Sequence, residues 1–99
     1  MKVCISIPID LRLHNTGEFS VNKQISEPDG GVAWETVFST NAVSGGEYLA
    51  TLEPGRYQKV LGPVNGVPTF SSVFEIVSNN TYIDEEGTVF KIMDDGKLI

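Results

Sequence analysis

Reactive side chains are scarce in this chain of 99 residues, which contains one cysteine, Cys4, and one histidine, His14. A single cysteine excludes an intramolecular disulfide, so folding in a reducing compartment such as the cytosol is the simpler interpretation. One cysteine and one histidine also do not make a tetrahedral zinc site. The chain therefore has to fold through its core alone.

Basic residues are few as well, with 7 Lys and Arg against 13 Asp and Glu, which gives a net charge of −6 at pH 7. Such a surface repels phosphate backbones, and no cluster of Lys or Arg makes a local exception, so nucleic acid is not an expected partner. Long apolar runs are missing too. The residues after Met1 lack the run of about seven apolar residues of a signal peptide, and no stretch approaches membrane-spanning length. We expect no membrane partner.

Catalysis near neutral pH usually needs a titrating group beside a positioned partner, and only His14 and Cys4 suit that role. His14 abuts a predicted turn, where an exposed residue is the plainer interpretation. Cys4 lies on the polar side of the first predicted strand and reads as a small packing residue. We predict no catalytic or cofactor-binding residue and no enzymatic activity.

Acidic residues near the C-terminus could offer oxygen ligands to a hard cation, but they lack the spacing of a calcium loop. Solvated turn charges that keep strand edges from aggregating are the preferred interpretation, and no metal site is predicted. These residues are Asp84, Glu85, Glu86, Asp94 and Asp95.

Apolar residues alternate with polar ones from Val3 to Leu13, the period-two pattern of a strand with one buried face. Pro8 removes a backbone donor in the middle of this segment, which suggests an edge position or a bulge. A second, shorter strand is predicted around Phe19 and Val21. A third follows the loop at residues 27–31, with Trp34 as its core anchor.

The segment 46–57 predicts two paired, aromatic-anchored strands, containing Tyr48 and Tyr57, that are joined at a turn formed by Pro54 and Gly55. Strand signals recur over 70–77, 81–83 and 88–93, and a turn is predicted at 94–96. No window keeps helical spacing over about ten residues. The prediction is one all-β domain over residues 1–99, an antiparallel β-sandwich of about seven short strands, prealbumin-like or Ig-like, with 79–99 as a C-terminal hairpin extension.

The pattern Gly46-x-Tyr48 followed by Leu52-x-Pro54-Gly55-x-Tyr57 resembles the prealbumin-like sandwiches of carboxypeptidase regulatory-like domains. Over residues 1–78 the order of strands and turns is similar to the N-terminal domain of bacteriophage and prophage tail fibre proteins. This resemblance implies a non-enzymatic virion structural protein, made in the host cytoplasm, that acts as a tail fibre attachment, decoration or adaptor module. Its expected partners are other virion structural proteins in a multi-copy assembly. The matched positions are structural, so no binding residues carry over.

Two apolar-containing segments, 62–68 and 88–99, are candidates for contacts with such partners, and the alternative is that they complete the sandwich. A second function remains open, a carbohydrate- or cell-surface-recognition module in which aromatic rings stack on sugars. A small hydrolase ranks third. The aromatic residues considered for stacking are Trp34, Tyr48, Tyr57 and Tyr82, although core packing is the preferred explanation for Trp34, Tyr48 and Tyr57.

Overall fold

The computed structural model describes residues 1–14 and 16–99, and this part of the chain contains nine β-strands and no helix. The predicted all-β class is confirmed. The same residues accordingly include no apolar helix of membrane-crossing length. The strands are β1 (Lys2–Ser6), β2 (Thr16–Ser26), β3 (Val32–Val43), β4 (Glu47–Thr51), β5 (Gly55–Val64), β6 (Val67–Phe70), β7 (Phe74–Val77), β8 (Thr81–Ile83) and β9 (Val89–Lys91).

The strands form two antiparallel sheets that pack together as a sandwich, as predicted. β1 and β4 make a small two-stranded sheet. The large sheet has seven strands in the order β3-β2-β5-β7-β8-β9, with β6 paired to β5 beside this path. There are nine strands where the sequence predicts about seven, partly because the strand predicted over 70–77 is interrupted at residues 71–73.

The core lies between the two sheets and is built from the inward-facing positions of alternating strands. In the large sheet, the rings of Tyr57, Phe74 and Tyr82 form a continuous stack with centroid separations of 5.5 and 5.4 Å. These distances are typical of favourable aromatic pairs. The other core residues are Val3, Ile5, Ile7, Phe19, Val21, Ala42, Ala50, Leu52, Leu61, Ile76 and Ile92.

The first strand is shorter than the sequence predicts, because β1 ends at Ser6. The predicted burial holds through Ile7 and is wrong at Ile9 and Leu11, which are 74% and 91% exposed, whereas Leu13 is partly buried against the core. Pro8 has no N–H with which to continue the ladder, and the chain leaves the sheet there.

The strands on either side of Pro54 and Gly55 do not pair with each other. β4 pairs with β1 in the small sheet, whereas β5 pairs with β2, β6 and β7 in the large one. The hydroxyl of Tyr57 donates to the carbonyl oxygen of Glu53 across the link. The predicted pairing is therefore wrong, and this segment carries the chain from one sheet to the other.

A β-bulge at Val37 divides β3 into two parts with opposite facing. β2 pairs with β3 on both sides of Val37, which itself has no partner in the register. Side chains alternate between the two faces of a strand, so one additional residue shifts this alternation. The residues of β3 before Val37 therefore face the opposite side from the one that they would face in a regular strand. Thr36 therefore faces outward with Trp34, while Phe38 faces the core.

Trp34 is consequently not the core anchor that the sequence predicts, and it is 37% exposed on the outer face of the large sheet. The neighbouring Thr36 hydroxyl donates to Asn22 Oδ1 on that face at 2.9 Å. Phe38 takes the inward position and stacks on Tyr48 with ring centroids 5.2 Å apart.

The segment 62–68 is mostly strand and only partly the projecting loop that was predicted. β5 continues to Val64 and β6 begins at Val67. Asn65 and Gly66 form the turn between them with φ of 52° and 79°. Two consecutive positive φ angles are characteristic of a tight hairpin turn that favours Asn-Gly.

The chain ends in a hairpin whose turn lies at residues 94–96, where the sequence predicts one. The N–H of Met93 donates to the carbonyl oxygen of Lys97 at 2.8 Å. The carbonyl oxygen of Gly96 accepts the N–H of Cys4 at 2.8 Å, so the hairpin covers part of the edge of β1 that does not face β4.

Candidate functional site

Several strands begin or end together at one end of the sandwich. The antiparallel registers place Thr16, at the start of β2, opposite Val43, at the end of β3. They also place Phe19 of β2 opposite Leu61 of β5, so the end of β5 lies at the same end. Residues 7–14 connect β1 to β2 here, and their exposed apolar side chains make this end a candidate contact surface.

Asp10 anchors the connecting segment from the inside, because its side chain is buried. Arg12 Nε donates to Asp10 Oδ1 at 2.9 Å, and the Thr69 hydroxyl donates to Asp10 Oδ2 at 3.0 Å. The backbone N–H of Asp10 donates to Ser44 Oγ at 2.7 Å. Hydrogen bonds from Arg12, and more weakly from Thr69, hold the pKa of Asp10 well below its usual range.

Arg12 ties the same segment to the turn between β5 and β6. Its Nη1 donates to the carbonyl oxygens of Val67 at 2.8 Å and Val64 at 3.3 Å, and Nη2 donates to Thr69 Oγ1 at 2.8 Å. Its hydrogen bond to Asp10 raises the pKa of the Arg12 guanidinium. The planar guanidinium supplies several donors at once, so one side chain fixes the segment against two strands.

Leu11 lies between these two anchored residues and projects into solvent, with 91% of its surface exposed. Ile9 is 74% exposed, and Val43 and Val67 at the same end are 58% and 57% exposed. We call these four residues the apolar end patch. Single exposed apolar side chains are ordinary, but a group on a fixed backbone is typical of a contact surface.

The two segments predicted to make contacts, 62–68 and 88–99, differ in how far their apolar side chains are exposed. Val67 of segment 62–68 belongs to the apolar end patch, while Val64 is half-buried. In segment 88–99, Ile92 is buried and Leu98 packs against the core. The C-terminal segment therefore completes the sandwich in large part.

A pocket of about 430 Å³ opens at the side of the sandwich, between β1 and the C-terminal strands. We call it the lateral pocket. Its volume is in the range of small-molecule sites. It is lined by Cys4, Ser6, Glu47, Tyr82, Asp84, Glu85, Phe90, Lys97, Leu98 and Ile99.

Lys59 lies in the core, with its side chain only 2% exposed, and it contacts two residues that line the lateral pocket. Its ammonium lies 2.6 Å from Glu85 Oε1 and donates to Ser6 Oγ at 3.0 Å. The Phe74 ring centroid is 5.3 Å from Nζ, a cation–π distance. A serine beside a lysine can form a nucleophile and base, but here the same lysine is also held by Glu85. This cluster joins the two sheets.

The two candidate reactive residues lie apart. The Cys4 thiol donates to Glu47 Oε2 at 3.2 Å in the lateral pocket. Burial, followed by the Glu47 carboxylate, raises the pKa of Cys4, the opposite of what a reactive thiolate needs. His14 is exposed on the connecting segment at the end of the sandwich. Asn15, predicted in the same turn, lies outside the described residues.

Among the acidic residues near the C-terminus, Asp84, Glu85 and Asp95 have structural partners, and Glu86 and Asp94 are exposed. Asp84 Oδ1 accepts the backbone N–H groups of Glu86 at 2.9 Å and Thr88 at 2.8 Å, which closes the turn between β8 and β9. Glu85 holds the Lys59 ammonium. In residues 1–14 and 16–99, no group of three or more His, Cys, Asp or Glu side chains is arranged to hold a metal ion.

The aromatic residues considered for sugar stacking have different environments. Tyr57 and Tyr82 are core residues, 1% and 3% exposed, and Tyr48 packs against the core. The core assignment of Tyr57 and Tyr48 is confirmed. Trp34 differs, because the bulge in β3 leaves it on the outer face.

The polar clusters that position these surfaces were not predicted from the sequence. Asp10 and Arg12 stand at polar positions of an alternating segment, and the sequence does not distinguish them from Lys2, which stands at another polar position of that segment. Pro8 is the available signal, because a strand that stops there leaves the residues after it free to form a loop. Lys59 carries no such signal.

No family model matches the chain, and neither a curated protein nor a solved structure matches it.

Proposed function

We propose that the chain is a non-enzymatic protein-binding module whose apolar end patch contacts a partner protein. The observation that carries this proposal is the Leu11 side chain, which is 91% exposed between two residues fixed by hydrogen bonds. A loop that is already ordered loses little conformational freedom on binding, which favours affinity. Burying one leucine side chain contributes about 1.5–3 kcal/mol.

The partner that fits is a different protein with an apolar recess. Leu11 and Ile9 both project from the end of the sandwich. If two copies met through this patch, protruding side chains would face protruding side chains, and neither copy would offer a recess. The net charge of −6 favours a recess with basic side chains at its rim.

The setting we propose is a bacteriophage virion, in which the chain is an attachment, decoration or adaptor component. It would be made in the host cytoplasm and assembled in many copies with other virion structural proteins. The support is the order of strands and turns over residues 1–78, which resembles tail fibre N-terminal domains, together with the all-β sandwich.

Mass spectrometry of particles purified from a lysate that carries the gene tests the virion setting. The chain is expected in intact particles at a reproducible copy number. Its consistent absence from them would contradict the virion role and leave the protein-binding role to be tested separately.

Incorporation of variants into those particles tests the apolar end patch. Leu11→Asp is expected to lower incorporation by about tenfold or more, because a carboxylate is costly to bury in an apolar recess. Val89→Asp is the matched control, since Val89 is 64% exposed on β9, outside the patch. Equal incorporation of both variants and the wild type would place the contact elsewhere.

Carbohydrate or cell-surface recognition is a second candidate, and Trp34 is the observation that favours it. On the outer face Trp34 lies opposite Gln24, next to the pair formed by Thr36 and Asn22. An exposed ring beside polar groups suits stacking on a sugar face. A glycan array probed with wild type and Trp34→Ala tests this, and a wild-type chain that binds no glycan would exclude it.

A further inference from the structure

Tyr82 has a hydroxyl group that the core does not use. The residue is 3% exposed and lines the lateral pocket. No side chain or backbone group in residues 1–14 and 16–99 forms a hydrogen bond with its Oη. In the same residues, every side-chain N or O atom that is fully shielded from solvent has a hydrogen-bond partner. The unpaired hydroxyl must therefore reach the pocket, where it is available to a ligand.

Three carboxylates surround the same space, and each has one oxygen already engaged. Glu47 Oε2 accepts the Cys4 thiol at 3.2 Å, Asp84 Oδ1 accepts two backbone N–H groups of its own turn, and Glu85 Oε1 holds the Lys59 ammonium. The second oxygen of each carboxylate accepts no hydrogen bond from the described part of the chain. The pocket thus offers acceptors in excess of donors.

Burial raises the pKa of Tyr82, and the nearby carboxylates of Glu85 and Asp84 raise it further. The local field is therefore negative at the hydroxyl, so an anion would be repelled there.

The remaining wall of the pocket is apolar. Phe90 meets the Tyr82 ring edge to face, with centroids 6.2 Å apart at 62°, and Leu98 lines the same pocket. Lys97 also lines it, but its side chain is 79% exposed and its ammonium lies 3.9 Å from Asp95 Oδ2. A short hydrocarbon stem fits this wall, with a charged head at the carboxylates.

We propose that the lateral pocket binds a primary ammonium group on a short aliphatic stem. The ammonium donates to Tyr82 Oη and to the free oxygens of Glu85 and Glu47, while the stem packs on Phe90 and Leu98. An ammonium has three donors and no acceptor, which matches a site with spare acceptors. A lysine side chain of another protein and a free alkylamine share this chemistry, and the site is independent of the apolar end patch.

An NMR titration of the full chain with n-butylammonium tests the site, with n-butanol and butyrate as controls of similar shape. Backbone amide shifts are expected around residues 82–85, 90 and 98, saturating at about millimolar concentration for so small a ligand. Smaller or absent shifts with the alcohol and the carboxylate support the proposal. Equal shifts with all three compounds, or none in the pocket with the ammonium, would overturn it.

Tyr82→Phe is the decisive variant, because it keeps the ring and removes one hydroxyl that has no partner within residues 1–14 and 16–99. We expect it to fold as the wild type does and to bind n-butylammonium about tenfold more weakly. Tyr57→Phe is the matched control, since the Tyr57 hydroxyl donates to Glu53 O and does not line the pocket. Tyr82→Phe with wild-type affinity would contradict the assignment even if the amine binds.

A second ligand, the blocked tripeptide Ala-Lys-Ala, distinguishes the two sources of the ammonium group, a lysine side chain and a free amine. Binding at least as tight as that of n-butylammonium indicates a lysine side chain of another protein. Binding of the free amine alone indicates a small molecule. Either result supports the ammonium site, and failure of both ligands would overturn it.

Discussion

Lys59 Nζ lies 2.6 Å from Glu85 Oε1, and this ion pair connects the middle of the large sheet to the turn between β8 and β9. The lysine side chain is 2% exposed and the glutamate side chain 26%. The same ammonium donates to Ser6, which ends β1 in the small sheet. A polar contact therefore holds the two sheets together at the side where the lateral pocket opens.

Removing the glutamate of this pair is expected to cost more stability than removing the lysine, because the lysine side chain is 2% exposed and the glutamate side chain 26%. Glu85→Gln leaves a buried ammonium without its counter-charge and should lower the free energy of unfolding by about 2–3 kcal/mol. Lys59→Met removes the buried charge at similar volume and leaves the carboxylate of Glu85, which is 26% exposed and can be solvated, so it should change the free energy of unfolding by about 1 kcal/mol or less. Urea denaturation measures both, and a larger loss for Lys59→Met would contradict the prediction.

Asp10 should make stability depend on pH in the acid range. Its folded-state pKa lies below that of the unfolded chain, so its contribution is complete above about pH 5 and is lost as the pH falls below the unfolded value near 4. Asp10→Asn should be less stable than the wild type at pH 7, with a difference that shrinks towards about pH 2. Thermal unfolding across this range measures it. The exposed Asp94→Asn serves as the control, and a constant difference for Asp10→Asn would argue against the proposed linkage.

Ile7 and Leu11 belong to one alternating series but should respond differently to substitution. Leu11→Asp should change the free energy of unfolding by about 0.5 kcal/mol or less, because the side chain is 91% exposed. Ile7→Ala should lower it by about 2–4 kcal/mol, because that side chain is 4% exposed in the core. Chemical denaturation of both variants measures the contrast. Strong destabilisation by Leu11→Asp would mean that Leu11 is buried in solution.

Trp34 is the single tryptophan of the chain, so its fluorescence reports one position. Its 37% exposure predicts that acrylamide quenches the native protein appreciably, though less than the protein unfolded in urea. Deletion of Val37 removes the bulge and should turn Trp34 inward, which lowers quenching. Native fluorescence that acrylamide leaves unchanged would place Trp34 in the core after all.

The features that the sequence predicts well depend on near neighbours. Alternation predicted the buried face of β1, and the hairpin turns at 27–31 and 94–96 lie where Gly and Asp cluster. Proline positions carried partial information, since Pro8 marked a break that the apolar alternation concealed. The bulge at Val37 had no local signal, and it reversed the facing of Trp34.

The candidate sites were less accessible from the sequence because they join residues far apart in the chain. Arg12 bonds to Thr69 across 57 positions, and Lys59 to Ser6 across 53. A polar residue on a strand gives the same sequence pattern whether its side chain contacts solvent or a distant partner. The exposure of Leu11 follows from such contacts, because the hydrogen bonds of Asp10 and Arg12 hold the loop that carries it.

The sequence by itself determined that the chain is built from strands, since side-chain period and turn residues act within a few positions and leave no helical alternative. Tertiary structure alone decided that β4 and β5 belong to different sheets, that Trp34 faces outward, and that Lys59 meets Glu85. The physical reason is that sheet membership and ion pairing depend on the packing of distant segments, whose relative positions are set only when the sandwich closes.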